Sequence, residues 1–150
     1  MGARRQGRQA ALQVLYQCDV AAVSVETALR HYWSSFGEGR EGRAFVERLV
    51  RGVGTERDAL DVLITTHCHH WRIARMSVVD RNLLRLAAYE LQRLPEVPTR
   101  VILNEAVELA KTFGDAQSPA FVNGILDKIA AVVRAIPTDP SAPGAPAVRE

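Results

Sequence analysis

Apolar positions along this chain fall three or four residues apart, and no stretch alternates apolar with polar as a half-buried strand requires. Ala11, Leu12, Leu15 and Tyr16 form one such set, Ala28, Leu29, Tyr32 and Trp33 a second, and Phe45, Val46, Leu49, Val50 and Val53 a third. Each set covers one face of a helix, so each predicts an amphipathic helix that buries its stripe against a neighbour. Leu60, Leu63, Ile64 and His67 continue the third set beyond Gly52 and Gly54. Glycine weakens a helix interior by about 1 kcal/mol relative to alanine, so these two either loosen one long helix or divide it.

Further on, polar residues and prolines mark the helix ends. Ser77 with Asp80 three positions later has the spacing of a capping box and predicts a helix from Val78 to Arg93. Pro95 and Pro98 stop it, Thr99 is placed to cap the next helix, and Gly114 follows Phe113 where a left-handed residue would close it. Ser118 before Pro119 reads as a cap with proline in the first turn. The helix it opens has Phe121, Val122, Ile125, Leu126, Ile129, Val132 and Val133 on its apolar face. That spacing runs straight through Asn123-Gly124, so Gly124 is expected to admit a closely packed helix and not to turn a hairpin. The expectation is an all-α fold, one compact domain over residues 1–136 with six or seven helices packed orthogonally or as two bundles.

Composition limits the picture in three ways. With 47% hydrophobic residues in 150, the chain can bury one sizeable core. From Pro137 the sequence becomes PTDPSAPGAP, with four of the seven prolines and almost no apolar anchor, which predicts a disordered tail over 137–150. No run approaches the roughly 18 apolar residues of a membrane span, and Leu12 to Tyr16 is too short for a secretory signal core. The two cysteines, Cys18 and Cys68, are expected to be reduced, in keeping with a cytoplasmic protein. Trp33, Phe36 and Trp71 are open to either core or dimer-surface roles, so monomer and homodimer both remain.

Four kinds of chemistry are on offer. His67, Cys68, His69 and His70 provide metal-ligand types, but neighbours on a helix diverge by about 100° and only His67 and His70 would face together. A polar helix end is the better reading, with no metal and no cofactor. Glu105 and Glu108 have helical i,i+3 spacing, which suits a solvated face with Glu108 pairing Lys111 more than an acid and base in catalysis. No nucleophile elbow, phosphate loop or zinc-protease motif is present, so no enzymatic activity is expected. The net charge of +2 is small but uneven: Arg4, Arg5 and Arg8 all precede the first acid, Asp19. Arg4 and Arg8 share a helical face, with Tyr16 two turns beyond Arg8. Such a face suits RNA, phosphates meeting guanidinium groups and a base stacking on the ring.

Three stretches make the reading specific: RRQGRQAALQVLYQ, then VVDRNLLRLAAYEL with ILNEAVELAKTFG, then SPAFVNGILDKI. In order and spacing the chain resembles the NusB family over about residues 4 to 133. The resemblance implies an all-helical, non-catalytic protein that binds boxA-type single-stranded RNA together with the ribosomal protein NusE. It would thereby serve the RNA polymerase antitermination complex that transcribes ribosomal RNA operons. It also implies that Arg4, Arg5, Arg8 and Tyr16 form the RNA-facing first helix, that Phe121 meets RNA with Gln117 and Ser118 beside it, and that Asp80 faces NusE with Arg81 and Leu84. Gln117 stands where some family members carry an acid. Two other readings compete: a NusB-like helical domain of the kind that precedes some ribosomal RNA cytosine methyltransferases, and a metal enzyme at the His67 to His70 cluster. After the last helix only about 14 residues of expected tail remain, too few for a Rossmann-like catalytic domain.

Overall fold

A computed structural model describes residues 2–36, 42–69 and 72–135, so the expected tail at 137–150 lies outside the described residues, as do His70 and Trp71. Six α-helices and one short 3-10 turn account for the architecture: α1 (Ala3–Ala21), α2 (Val25–Phe36), α3 (Arg43–Thr66), the turn Ile73–Arg75, α4 (Val78–Arg93), α5 (Thr99–Phe113) and α6 (Ser118–Val133). No strand occurs among the described residues. The all-α expectation therefore holds. Helices α1, α2 and α3 touch one another, and so do α4, α5 and α6, while α4 also packs on α1 and α3. The result is two three-helix groups that meet across α4.

Helix α4 is buried on every side through ten consecutive residues, Asn82 to Leu91. A helix that is covered all round needs apolar residues all round, and Leu83, Leu84, Leu86, Ala87, Ala88 and Leu91 supply them. Three polar residues interrupt this run, Asn82, Arg85 and Glu90, all at most 2% exposed. Buried polar and charged groups persist only when partnered, and each of the three finds its partner on another helix or on α4 itself. Arg85 meets Asp61 of α3 at 2.7 Å, Asn82 donates to Asp19 of α1 at 2.9 Å, and Glu90 receives Arg8 of α1 at 2.8 Å.

The helix ends follow the sequence in part. Ser77 Oγ accepts the Asp80 amide at 3.1 Å, as a cap should. The reciprocal half of the expected box is missing, because Asp80 Oδ1 has no hydrogen-bond partner. At the other end of α4, the Arg134 guanidinium donates to the carbonyl oxygens of Leu91 and Val97 at 2.8 Å, Leu94 at 2.9 Å and Glu90 at 3.3 Å. One side chain from the end of α6 thus satisfies carbonyls that a helix terminus otherwise leaves open.

Several local expectations need correction. Thr99 is the first residue of α5 and Pro98 holds the capping position. Gly114 is extended, with φ −93° and ψ −169°, because the chain must run on into Asp115, which caps α6 by accepting the amides of Gln117 at 2.8 Å and Ser118 at 3.1 Å. Ser118 is accordingly inside the helix and not its cap. The left-handed helix end belongs instead to Ala22, at φ 55°, a conformation costly for a residue with a Cβ. Gly124 faces open space and admits no neighbouring helix.

Helix α3 starts from Gly42 at φ 82°, where only glycine is at ease. It runs unbroken through Gly52 and Gly54 and bends at Glu56, whose φ of −103° and ψ of 15° leave the helical region. Gly52 is required by packing: the Tyr89 ring of α4 occupies the space where a Cβ would stand.

These two glycines give opposite expectations for the same substitution. Gly52→Ala should destabilise the protein by about 1–3 kcal/mol, since Tyr89 must move, whereas Gly124→Ala should stabilise it by about 0.5–1 kcal/mol through helix propensity alone. Urea unfolding midpoints of the two variants provide the comparison.

Candidate nucleic-acid interface

The three arginines of α1 have three different environments. Arg4 is exposed, with its guanidinium over the Phe45 ring at 4.2 Å from the centroid. Arg5 reaches across to Glu105 of α5, Nη2 to Oε2 at 2.6 Å, while its side chain stays 47% exposed. That hydrogen bond, before burial or long-range charge, holds the Glu105 carboxyl below the usual carboxylate range. Arg8 is 4% exposed and grips Glu90 with two parallel bonds, Nε to Oε2 and Nη2 to Oε1, each 2.8 Å. Leu83, Leu86, Ala87, Ile102, Ala106 and Leu109 surround this pair. Arg8 is therefore a structural ion pair and not an RNA-facing group. Its position explains why: it precedes Ala11, Leu12 and Leu15 on the stripe that α1 buries.

Arg5 and Tyr16 are eleven positions apart, about three helical turns, which sets them on one face of α1. Tyr16 is 41% exposed. With Leu12, Gln13, Val79 of α4 and Phe113 of α5 it lines a cleft of about 410 Å³. A second cleft, of about 390 Å³, is lined by Arg75, Met76, Ser77, Asp80, Asp115, Gln117 and Phe121. The two adjoin at the first turn of α4, where consecutive residues Val79 and Asp80 face one each. They also adjoin where α5 gives way to α6, with Phe113 in one and Asp115 in the other. An aromatic ring thus stands in each cleft, and exposed amides of Gln13 and Gln117 stand beside the rings. Ser118 does not share this exposure: it is 1% exposed, and its Oγ accepts the Asp115 amide at 3.0 Å. Its role is to shape the loop that presents Gln117.

The residues expected to face a protein partner also separate. Leu84 is fully buried in the core and cannot meet a partner. Arg81 is turned to α1, where it binds both oxygens of Asp19 at 2.6 and 2.7 Å. The Arg81 hydrogen bonds are the largest influence on the Asp19 carboxyl, which with help from Asn82 and against the effect of burial falls to about 2. Asp80 alone opens onto a cleft, the one that holds Phe121 and Gln117.

Elsewhere the candidate chemistry recedes. His67 Nδ1 lies 2.9 Å from the Leu63 carbonyl oxygen at the end of α3, Cys68 is buried, and no group of three or more potential metal ligands exists among the described residues. No helix among them is long and apolar enough to cross a membrane. Trp33 is core, its indole nitrogen donating to Glu47 at 2.9 Å, while Phe36 is 53% exposed. Sequence reasoning passed over Gln13, Val79, Phe113, Arg75 and Asp115, which line the clefts without belonging to any basic or aromatic run. Helical spacing from Tyr16 would have found Gln13, but only the tertiary arrangement brings Val79 and Phe113 to Tyr16 and Arg75 to Phe121.

Comparison with known proteins bears on this surface. The chain matches the family model described as NusB family over residues 5–131. It is 48% identical over 134 residues to the transcription antitermination protein NusB of Myxococcus xanthus strain DK1622, a match that covers 87% of this chain and 96% of the relative. It superposes on T. maritima NusB with a TM-score of 0.78 at 37% identity, covering 85% of this chain and 89% of that one. It also superposes, with a TM-score of 0.80 at 26% identity, on a chain from the crystal structure of antitermination factors NusB and NusE in complex with dsRNA, covering 88% and 98%.

Arg8→Met should lower stability by about 3–5 kcal/mol, because it leaves Glu90 charged and alone in an apolar setting, and chemical unfolding measures it. The Asp19 carboxyl predicts an acid limb. Its folded value lies below the ordinary 3.8, so its contribution is complete above that value and disappears as the pH falls towards about 2. Asp19→Asn should be less stable at neutral pH and should lose less on acidification over that range, which thermal unfolding at stepped pH reads directly.

Proposed function

The chain belongs to the NusB family, and on that premise we propose that it is a cytoplasmic transcription antitermination factor that binds boxA-type nascent RNA together with NusE. It acts by binding, without catalysis, to help RNA polymerase read through ribosomal RNA operons. The observation that carries this reading is the pair of adjoining clefts at the start of α4, each with an aromatic ring at its edge, Tyr16 in one and Phe121 in the other. Single-stranded RNA offers flat bases and a charged backbone, and proteins take it by stacking bases on aromatic side chains beside cationic groups. Arg5, paired with Glu105 but still half exposed, lies on the Tyr16 face of α1, and the exposed Arg4 adds positive charge at the start of the same helix. Gln117 and Gln13 add donors and acceptors for base edges.

Two arginines and two rings make a modest, salt-sensitive site. A protein partner that binds alongside multiplies such contacts without any change in them. Asp80, open to the Phe121 cleft, is where a basic partner would be met, with NusE in that role. The RNA and the partner then occupy neighbouring ground on one face of the molecule.

Tyr16→Ala and Phe121→Ala should each weaken RNA binding by about 1–3 kcal/mol, the value of a stacked base, with helicity by circular dichroism unchanged. The measurement is a titration of boxA-type RNA and a scrambled control across a salt series, with and without NusE. Equal, weak and wholly salt-driven binding to both RNAs would overturn the proposal.

A further inference from the structure

A third cleft, of about 320 Å³, lies between α1 and α2, with Gln13 and Gln17 on the α1 side and His31, Tyr32, Ser35 and Phe36 on the α2 side. Gln13 lines the Tyr16 cleft as well, so the two open side by side along α1. Gln6, Gln9, Gln13 and Gln17 recur at spacings of three and four, which gives α1 one uncharged amide face next to Tyr16. Gln13 and Gln17 are exposed, and their side-chain amides have no hydrogen-bond partner among the described residues. On the α2 side the Phe36 ring is 53% exposed and stacked on Tyr32, with centroids 4.7 Å apart and planes at 30°. Tyr32 is itself buried and edge-on to the core residue Trp33 at 5.0 Å. Phe36 is thus a ring held on one side and open on the other. The acids of the two helices are engaged elsewhere, Asp19 by Arg81 and Glu26 by Arg51 at 2.8 and 2.9 Å.

We infer that this cleft takes an unpaired base of the same RNA strand, which passes from Tyr16 over Gln13 and stacks a further base on Phe36, with the Gln13 and Gln17 amides against base edges. The inference rests on the RNA-binding function proposed above and adds to it a place and a chemistry that the basic residues of α1 do not supply. Single-stranded RNA is held by stacking splayed bases on aromatic rings and by hydrogen bonds to their edges, and an amide presents a donor and an acceptor together. A carboxylate in the cleft would repel the phosphates that join the bases. Among the described residues neither a carboxylate nor an arginine or lysine lines it. Its share of the affinity therefore comes from stacking and base contacts, and unlike phosphate contact it does not depend on salt. A second protein chain fits the site less well. Phe36 is the one exposed large apolar residue that lines it, too little for the apolar centre of an interface that buries about 1,200 Å² or more.

The test measures affinity for boxA-type RNA, full length and shortened stepwise from either end, with NusE present and at low and high salt, using the full chain and its Phe36→Ala, Phe36→Tyr, Gln17→Glu and Val62→Ala variants. Phe36→Ala should bind the full-length RNA about 5-fold or more weakly, the lower end for loss of a stacked base, and by the same factor at both salt concentrations. Shortening the RNA from one end should cost the wild type that factor and cost Phe36→Ala nothing further, which marks the removed base as the one the ring holds. Phe36→Tyr keeps a stacking ring and should match the wild type. Gln17→Glu leaves the ring in place and should weaken the full-length RNA more than the shortened one, which carries the test should Phe36→Ala lose its helicity. Val62→Ala trims an exposed apolar side chain of α3 and should change nothing. Wild-type affinities in both Phe36→Ala and Gln17→Glu, or a loss in Phe36→Ala that persists undiminished on the shortened RNAs, would overturn the site while leaving RNA binding at Tyr16 and Phe121 intact. A lower sedimentation mass for Phe36→Ala than for the wild type would place a second copy over the ring and overturn it as well. Failure of the wild type to bind any of the RNAs would overturn the functional reading and the site together.

Discussion

The ion pair between Arg8 and Glu90 sets the terms for the rest of this protein. A carboxylate in the middle of a helix covered on all sides cannot be left alone, and the cost of an unpaired buried charge exceeds most single packing terms in a domain of this size. Glu90 therefore fixes which residue of α1 lies over it. Eleven residues further along α1, Asp19 repeats the constraint at the other end of α4, where it receives Arg81, Asn82 and Arg85. Two anchors of this kind leave α1 no freedom to slide or roll against α4, and they make the two helices antiparallel. Apolar stripes alone would tolerate neighbouring registers. The charges do not.

The clefts inherit their geometry from that lock. Tyr16 lies between Arg8 and Asp19 on α1, so its position relative to Val79 and Asp80 is settled by one buried ion pair and one half-buried one. On the other side, Asp115 and Ser118 tie the α5 to α6 connection into a tight loop, and Phe121 and Gln117 project from its far end. The surface that the proposed function uses is thus assembled from four helices, α1, α4, α5 and α6, and from the connections that lead into α4 and α6. Each is held by polar contacts beneath it. Rigid support suits a site that must present rings to bases without a costly rearrangement on binding.

How much of this was legible in the sequence depended on whether the deciding partner was local. Ser77 with Asp80 marked the start of α4, and Pro95 and Pro98 marked its end, because these signals act within a few residues. Gly114 misled for the same reason in reverse: its usual role at a helix end was overridden by Asp115, which needed an extended approach to cap α6. Arg8 looked like one of three RNA-facing arginines, and its place on the stripe of Ala11, Leu12 and Leu15 was the available warning. Its partner lies 82 residues away, however, and no reading of a single sequence pairs residues at that distance. Leu84 was drawn to the surface by its neighbours in the family motif, although a helix buried all round has no outward face to offer it.

Arg134 closes the end of the central helix from nearly the last described turn of the chain. Its guanidinium supplies donors to four carbonyl oxygens of the segment from Glu90 to Val97, and Thr99 Oγ1 takes another bond at 3.3 Å. A ribosome makes the helix around which everything packs some forty residues before it makes the side chain that finishes it. During synthesis α4 is thus a helix with an open end until α6 arrives, although α1 and α3 already meet it through contacts of their own. The order of translation thus places the closure of the central helix after nearly everything that packs against it.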